Sequence, residues 1–178
     1  YESRDLMECA RQMRDDGILP SGREIKSRPK LFIGGADTPL DPADERWKPD
    51  GLLAKIDAGA GFFQTQFCFD PAMLRRYMAR LGDEGITERA WFLVGIGALR
   101  SAKSARWMND NLFGVHIPEA IIARLDGAAD AREEGLAIAV ELLEVLAEIP
   151  GVAGAHVMGP GSEAAAAEAI RRAGIRER

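Results

Sequence analysis

The chain is poor in the residues that build metal centres and cross-links. Only two histidines, His116 and His156, and two cysteines, Cys9 and Cys68, occur in its 178 residues. The cysteines stand far apart and form no C-x-x-C pair, so they read as reduced, packed thiols. Without a His/Cys cluster at ligand spacing, no metal site is expected. No apolar run reaches the ~18–20 residues that span a bilayer, and the opening YESRDLMECARQMRDDG is charged throughout, unlike a secretory signal. A cytoplasmic protein with no membrane partner is the expectation. Excess positive charge is lacking too: 23 Lys and Arg against 28 Asp and Glu leave a net −5, spread along the chain, which argues against nucleic acid. Neither G-x-G-x-x-G after a strand nor G-x-x-x-x-G-K-[ST] is present, so the common dinucleotide and P-loop fingerprints are missing.

What is there is a 47% apolar composition, enough for one core, and residues 1–178 read as a single domain. Leu6, Cys9, Ala10 and Met13 recur at helical spacing and predict a helix over Ser3–Asp16, stopped at Gly17. A Pro- and Gly-punctuated loop (Pro20 to Pro29) leads into KLFIGGA, a strand over Lys30–Ala36, and then a polar loop from Asp37 to Pro49. DGLLAKIDAGA reads as a helix, GFFQTQF as a strand, and DPAMLRRYMARLGDEG as a helix with Asp70 as N-cap and Pro71 in its first turn. A strand over Arg89–Ile96 follows, then helices from Ser101 to about Asp110, from Pro118, and from Asp130 to Ile149. The strand VAGAHVM and a helix over Ser162–Ala173 complete the pattern.

Strand and helix alternate four times, and each strand reads as a continuous apolar run. That predicts an α/β fold with a parallel sheet covered on both faces. Because the nucleotide fingerprints are missing, a (β/α) barrel is favoured over an open doubly wound sheet. Four βα units make half of a (β/α)8 barrel of ~250 residues. The chain is then either a piece of a longer polypeptide or one whose sheet is completed by a second chain or a second copy. In a parallel sheet Asp37, Thr65, Gln66, Gly95, Gly97 and His156 to Gly159 fall at the carboxyl ends of the strands, on one face. The Gln66 amide offers an acceptor and a donor side by side, which suits the edge of a heteroaromatic ring, and the glycines leave room for a flat ring to approach.

The run LLAKIDAGAGFFQTQFCFD resembles the barrel of the methylenetetrahydrofolate reductase family, in which a K-x-D-A-G-A helix end is followed by a strand ending T-Q-x-x-F-D. The likeness continues through GVHIPEAIIARLDG and GVAGAHVM to near the C-terminus. It implies the C-terminal half, the last four βα units, of a (β/α)8 flavoprotein that binds FAD, takes hydride from NAD(P)H and passes it to 5,10-methylenetetrahydrofolate, giving 5-methyltetrahydrofolate in one-carbon metabolism. By this resemblance Gln66 holds the pterin of a folate substrate and Lys55 contacts the flavin phosphates or ribityl chain. Gly35, Ala36, Asp37, Asp41, Asp50 and Thr65 are the other positions assigned to FAD, Asp41 standing where the family commonly has histidine. The catalytic acid is unassigned, because nothing here matches the family's proton-donating glutamate or its Leu-Arg-Gly-Asp run. GIGALRSAKSARW also lacks an expected Pro and Phe, and HVMGPGSE lacks a folate-contacting arginine. Two alternatives follow: a non-catalytic half-barrel or partner subunit, and a related barrel in folate-linked demethylation. Outside the motif the same residues have plainer readings. Gln66 is then a buried amide satisfied by backbone, Lys55 a solvated helix residue, and Asp37 and Asp41 turn formers. His116 reads as a loop or packing residue and His156 as a hydrogen-bonded core histidine.

Overall fold

The computed structural model describes residues 2–44, 47–159, 161 and 163–174. Helix α1 (Ser3–Asp15) precedes β1 (Gly34–Asp37), α2 (Asp50–Asp57), β2 (Phe62–Phe67), α3 (Pro71–Asp83), a 3-10 turn (Ile86–Glu88) and β3 (Trp91–Ile96). Three helices, α4 (Ala102–Asn111), α5 (Glu119–Gly127) and α6 (Ala131–Leu146), lead to β4 (Val152–Val157) and α7 (Glu163–Ala173). The helix starts follow their capping chemistry. Asp70 accepts from the N–H groups of Ala72 and Met73, and Asp130 from those of Arg132 and Glu133. Ser101 and Ser104 form a reciprocal capping box at α4. Ser162, the expected start of the last helix, lies outside the described residues. No helix among the described residues is long and apolar enough to cross a membrane.

The first strand is shorter than Lys30–Ala36. Its ladder opens only where the Gly61 N–H reaches the Ile33 carbonyl at 2.8 Å, because the chain before Gly61 is still leaving α2. Phe32, outside the ladder, stacks on Phe62 with centroids 5.1 Å apart.

All four strands are parallel in the order β1-β2-β3-β4. A doubly wound sheet reverses its order at a switch point; an unbroken sequential order is an arc of a (β/α) barrel. The expectation of cover on both faces fails within this chain, for a topological reason. Right-handed crossovers repeated in one direction place every helix on the same side. Burial along β2 therefore alternates, with Phe63 and Thr65 buried and Gln64 exposed, and Trp91 at the start of β3 is 64% exposed. Phe62, Trp91 and Leu93 are apolar residues on the uncovered face, which is why the strands look uniformly apolar in sequence.

On the covered face Phe63 and Phe92 stack at 5.3 Å, and Val94, Ile96, Leu74, Leu81 and Ile138 pack with them. One contact fixes how α6 sits on the strand ends. A Cβ on Gly135 would lie 1.7 Å from the carbonyl oxygen of Leu99, in the loop after β3. Gly135→Ala gains about 1 kcal/mol of helix propensity, but it collides with backbone that no rotamer change can move. A net loss of about 1–3 kcal/mol in urea unfolding is expected; a net gain would show that the loop yields at no cost.

Candidate functional site

The carboxyl end of β2 is built around a bulge. Gln64 pairs with Leu93 and Phe67 with Gly95, so β2 takes three steps where β3 takes two. Thr65, 3% exposed, spans the irregularity: its hydroxyl donates to the Gln66 carbonyl at 2.8 Å and accepts from the Gly95 N–H at 2.9 Å. The hydroxyl thus holds the Gln66 backbone on one side and the end of β3 on the other. The half-buried Gln66 turns its Oε1 back onto the Phe67 N–H at 3.0 Å, satisfying a donor near the bulge. Its NH₂ has no partner among the described residues and remains as a donor.

Gly95 and Gly97 do not hold open space for a ring. A Cβ on Gly95 would lie 2.4 Å from the Thr65 carbonyl oxygen and 2.5 Å from the Met158 methyl, and one on Gly97 would lie 2.5 Å from the Met158 carbonyl oxygen. These glycines let neighbouring strand ends approach each other. His156 pairs with Gly95 in register, and its Nδ1 is buried without a hydrogen bond among the described residues, contrary to the satisfied core histidine expected. His116 is exposed in the loop before α5. Cys68 is buried, and burial pushes its thiol up to about 11, so it stays protonated at neutral pH.

The positions assigned to FAD fall into separate places. The bare Cα of Gly35 admits α1, since a Cβ there would be 3.0 Å from the Met7 methyl and from Phe63. The Ala36 carbonyl accepts from Lys55 Nζ at 2.6 Å, and Asp37 Oδ2 accepts from the Tyr77 hydroxyl at 2.7 Å. Asp37, Lys48, Lys55 and Tyr77 line a cavity of about 150 Å³. Trp47 closes it, held edge-on to Tyr77 and under the Arg80 guanidinium at 5.5 Å. Asp41 is elsewhere, bound to Arg76 at 2.5 Å and accepting from the Ala43 N–H. That pairing holds its carboxyl below the ordinary range. Asp50 is the exposed first residue of α2, where a carboxylate suits the helix dipole, and it does not line the cavity.

Sequence reasoning missed Tyr77, which sits in the apolar stripe of α3. The available signal was its hydroxyl, which needs a partner when the ring is buried. It also passed over the crevice beyond β3, about 270 Å³ and walled by Phe67, Phe69, Trp107, Met108 and Met158.

Burial raises the Asp37 carboxyl pKa; hydrogen bonds from Tyr77 and Thr38 and the charge of Lys55 oppose the rise without cancelling it. The folded chain therefore holds this proton more tightly than the unfolded one. Its contribution to stability is complete below the ordinary carboxylate pKa of about 4 and is lost as pH rises through the raised value. Asp37→Asn, neutral throughout, should gain in stability relative to the parent as pH rises from about 4 toward 7. Urea unfolding across that range checks this, and a gap that does not change with pH would contradict it.

No curated protein matches the chain. A solved structure described as an uncharacterized protein from Clostridium thermocellum that binds two copies of 5-methyl-5,6,7,8-tetrahydrofolic acid is similar in fold, with a TM-score of 0.59 and 18% identity. The likeness covers 98% of this chain and 60% of that one, so the chain spans about three fifths of the length of that structure. The sequence profile of methylenetetrahydrofolate reductase matches residues 36–174, most of the sheet and its helices from β1 to α7. With that match, a parallel sheet in barrel order and the T-Q motif on a bulged strand end, the chain belongs to the methylenetetrahydrofolate reductase family.

Proposed function

We propose that the chain is the folate-holding half of a reductase-type barrel, with the Gln66 amide gripping the edge of the pterin. The observation that carries this is the bulge at the end of β2, where the Gln66 side-chain Oε1 accepts from the Phe67 N–H and its NH₂ is left as a donor at the carboxyl end of the sheet. Folate binding by the structurally similar protein supports the choice of ligand. Phe32, 68% exposed, and Trp91 on the open face, together with the edges of β1 and β4, which pair with no further strand among the described residues, support closure of the sheet by further βα units. Those units would come from the same polypeptide or from another chain, and would bring the catalytic acid and the missing flavin-contacting run.

FAD, when bound, would relay hydride from NAD(P)H to the methylene carbon of the folate. The residues of this chain fit it only in part. Lys48 and Lys55 beside the 150 Å³ cavity suit a phosphate or ribityl segment, but Lys55 is already bonded to Ala36 and Asp37 to Tyr77. That volume is far below what a whole dinucleotide fills, a ligand pocket typically being ~300–1,000 Å³. No reaction step is therefore assigned to residues of this chain. The small cavity and the committed Lys55 and Asp37 favour a second reading, a folate-binding half-barrel or partner subunit without reductase activity of its own. A role in another folate-linked one-carbon reaction, such as demethylation, is the third.

Titration calorimetry with 5-methyltetrahydrofolate tests the ligand. Gln66→Ala should bind about 5- to 30-fold more weakly, the cost of leaving ring acceptors unpaired, with unchanged circular dichroism. Equal affinity would remove Gln66 from the site. The visible spectrum separates the first two readings: a flavin band supports the reductase, and a colourless, folate-binding protein supports the non-catalytic subunit.

A further inference from the structure

The peptide between Gln66 and Phe67 is gripped at both ends. Its carbonyl, that of Gln66, accepts from the Thr65 hydroxyl at 2.8 Å, and its N–H, that of Phe67, donates to the Gln66 side-chain Oε1 at 3.0 Å. A trans peptide is planar with its C=O and N–H pointing opposite ways, so fixing the direction of one fixes the other. The Gln66 side chain therefore keeps its place only while Thr65 holds the carbonyl. Rotation of that plane would carry the N–H off Oε1 and release the side chain to other rotamers.

Thr65 is built for this task. It lies buried on the helix-covered side of the sheet, as Phe63 does, and its one O–H is committed to the Gln66 carbonyl, so it meets no ligand itself. The hydroxyl oxygen is fixed in turn by the Gly95 N–H at 2.9 Å. In a regular parallel ladder a backbone carbonyl would accept that bond. Here a side chain accepts it, which leaves room for the extra residue of the bulge. The Cys68 N–H then returns to the Gly95 carbonyl at 2.8 Å, so residues 65–68 hang from one residue of β3 at both ends. Toward β1 the pairing stays regular, with Asp37 opposite Thr65. The branched Cβ of Thr65 restricts χ1 and keeps the hydroxyl aimed.

We propose that Thr65 is a positioning residue: by fixing the plane of the Gln66–Phe67 peptide, its hydroxyl sets the direction of the Gln66 NH₂ and with it the affinity for the ring that the amide holds. That the ring is a pterin rests on the folate reading above, whereas the hold of Thr65 on the Gln66 side chain stands apart from it.

Two readouts on the full chain test this, one with ligand and one without. The proteins are the parent, Thr65→Val, Thr65→Ser, Gln66→Ala and Thr65→Val/Gln66→Ala, with Thr65→Ala replacing Thr65→Val if the latter does not fold. Without ligand, hydrogen exchange at the Phe67 N–H, measured relative to Val94, should speed up at least about tenfold in Thr65→Val and stay within about threefold of the parent in Thr65→Ser. Calorimetry with 5-methyltetrahydrofolate should find Thr65→Val binding about three- to tenfold more weakly and Thr65→Ser within about twofold of the parent. In the Gln66→Ala background the valine should change affinity by less than about twofold, because the group it acts through is gone. An equal loss in both backgrounds, unchanged affinity in Thr65→Val, or a Phe67 N–H that stays protected there overturns the proposal. If the parent binds no folate, the folate reading fails and exchange alone decides. Faster exchange in Thr65→Val that Thr65→Ser restores then upholds the positioning role, and exchange at the parent's rate overturns it.

Discussion

One hydroxyl ties the strand ends together. Thr65 is buried, yet its side chain serves two strands at once, donating to the carbonyl of Gln66 and accepting from the amide of Gly95. A bulge otherwise leaves backbone groups unmatched, and a buried unmatched donor or acceptor costs about 1–3 kcal/mol. With the bulge held, the Phe67 N–H meets the Gln66 side chain, and the Cys68 N–H returns to the ladder at the Gly95 carbonyl, 2.8 Å away. The close approach that makes Gly95 necessary is another result of the same geometry, since the carbonyls of Thr65 and Gln66 occupy the space a side chain would need.

The polar groups divide by depth. Asp37 and Tyr77 form a pair beneath the end of β1, where burial raises the pKa of both and a lost partner would be costly. The ion pairs of Asp41 with Arg76, Asp57 with Arg89 and Arg124 with its two glutamates lie at the surface and are each worth at most about 1 kcal/mol. Stability comes mainly from the apolar layer between sheet and helices, and the surface charges tune solubility and approach.

The one-sided sheet links fold to function. Sequential parallel order forces the helices to one face, so the opposite face, with Phe62, Trp91 and Leu93, is left for other βα units to cover. The carboxyl ends of β2 and β3 open onto the crevice walled by Phe67, Phe69 and Met158.

The amino-acid sequence by itself determined the alternation of strands and helices, the caps at Asp70 and Asp130, and the T-Q motif, because these depend on local spacing and backbone chemistry. Reading apolar strands as buried on both sides failed, since periodicity reports side-chain character and not what lies opposite. Tertiary structure alone decided that Asp37 meets Tyr77 forty residues away and that Asp41 belongs to Arg76. It also decided that Arg100 and Arg132 line one cavity. Those meetings depend on strand register and on how closely α6 approaches the Leu99 carbonyl, which are set by packing between segments distant in the chain.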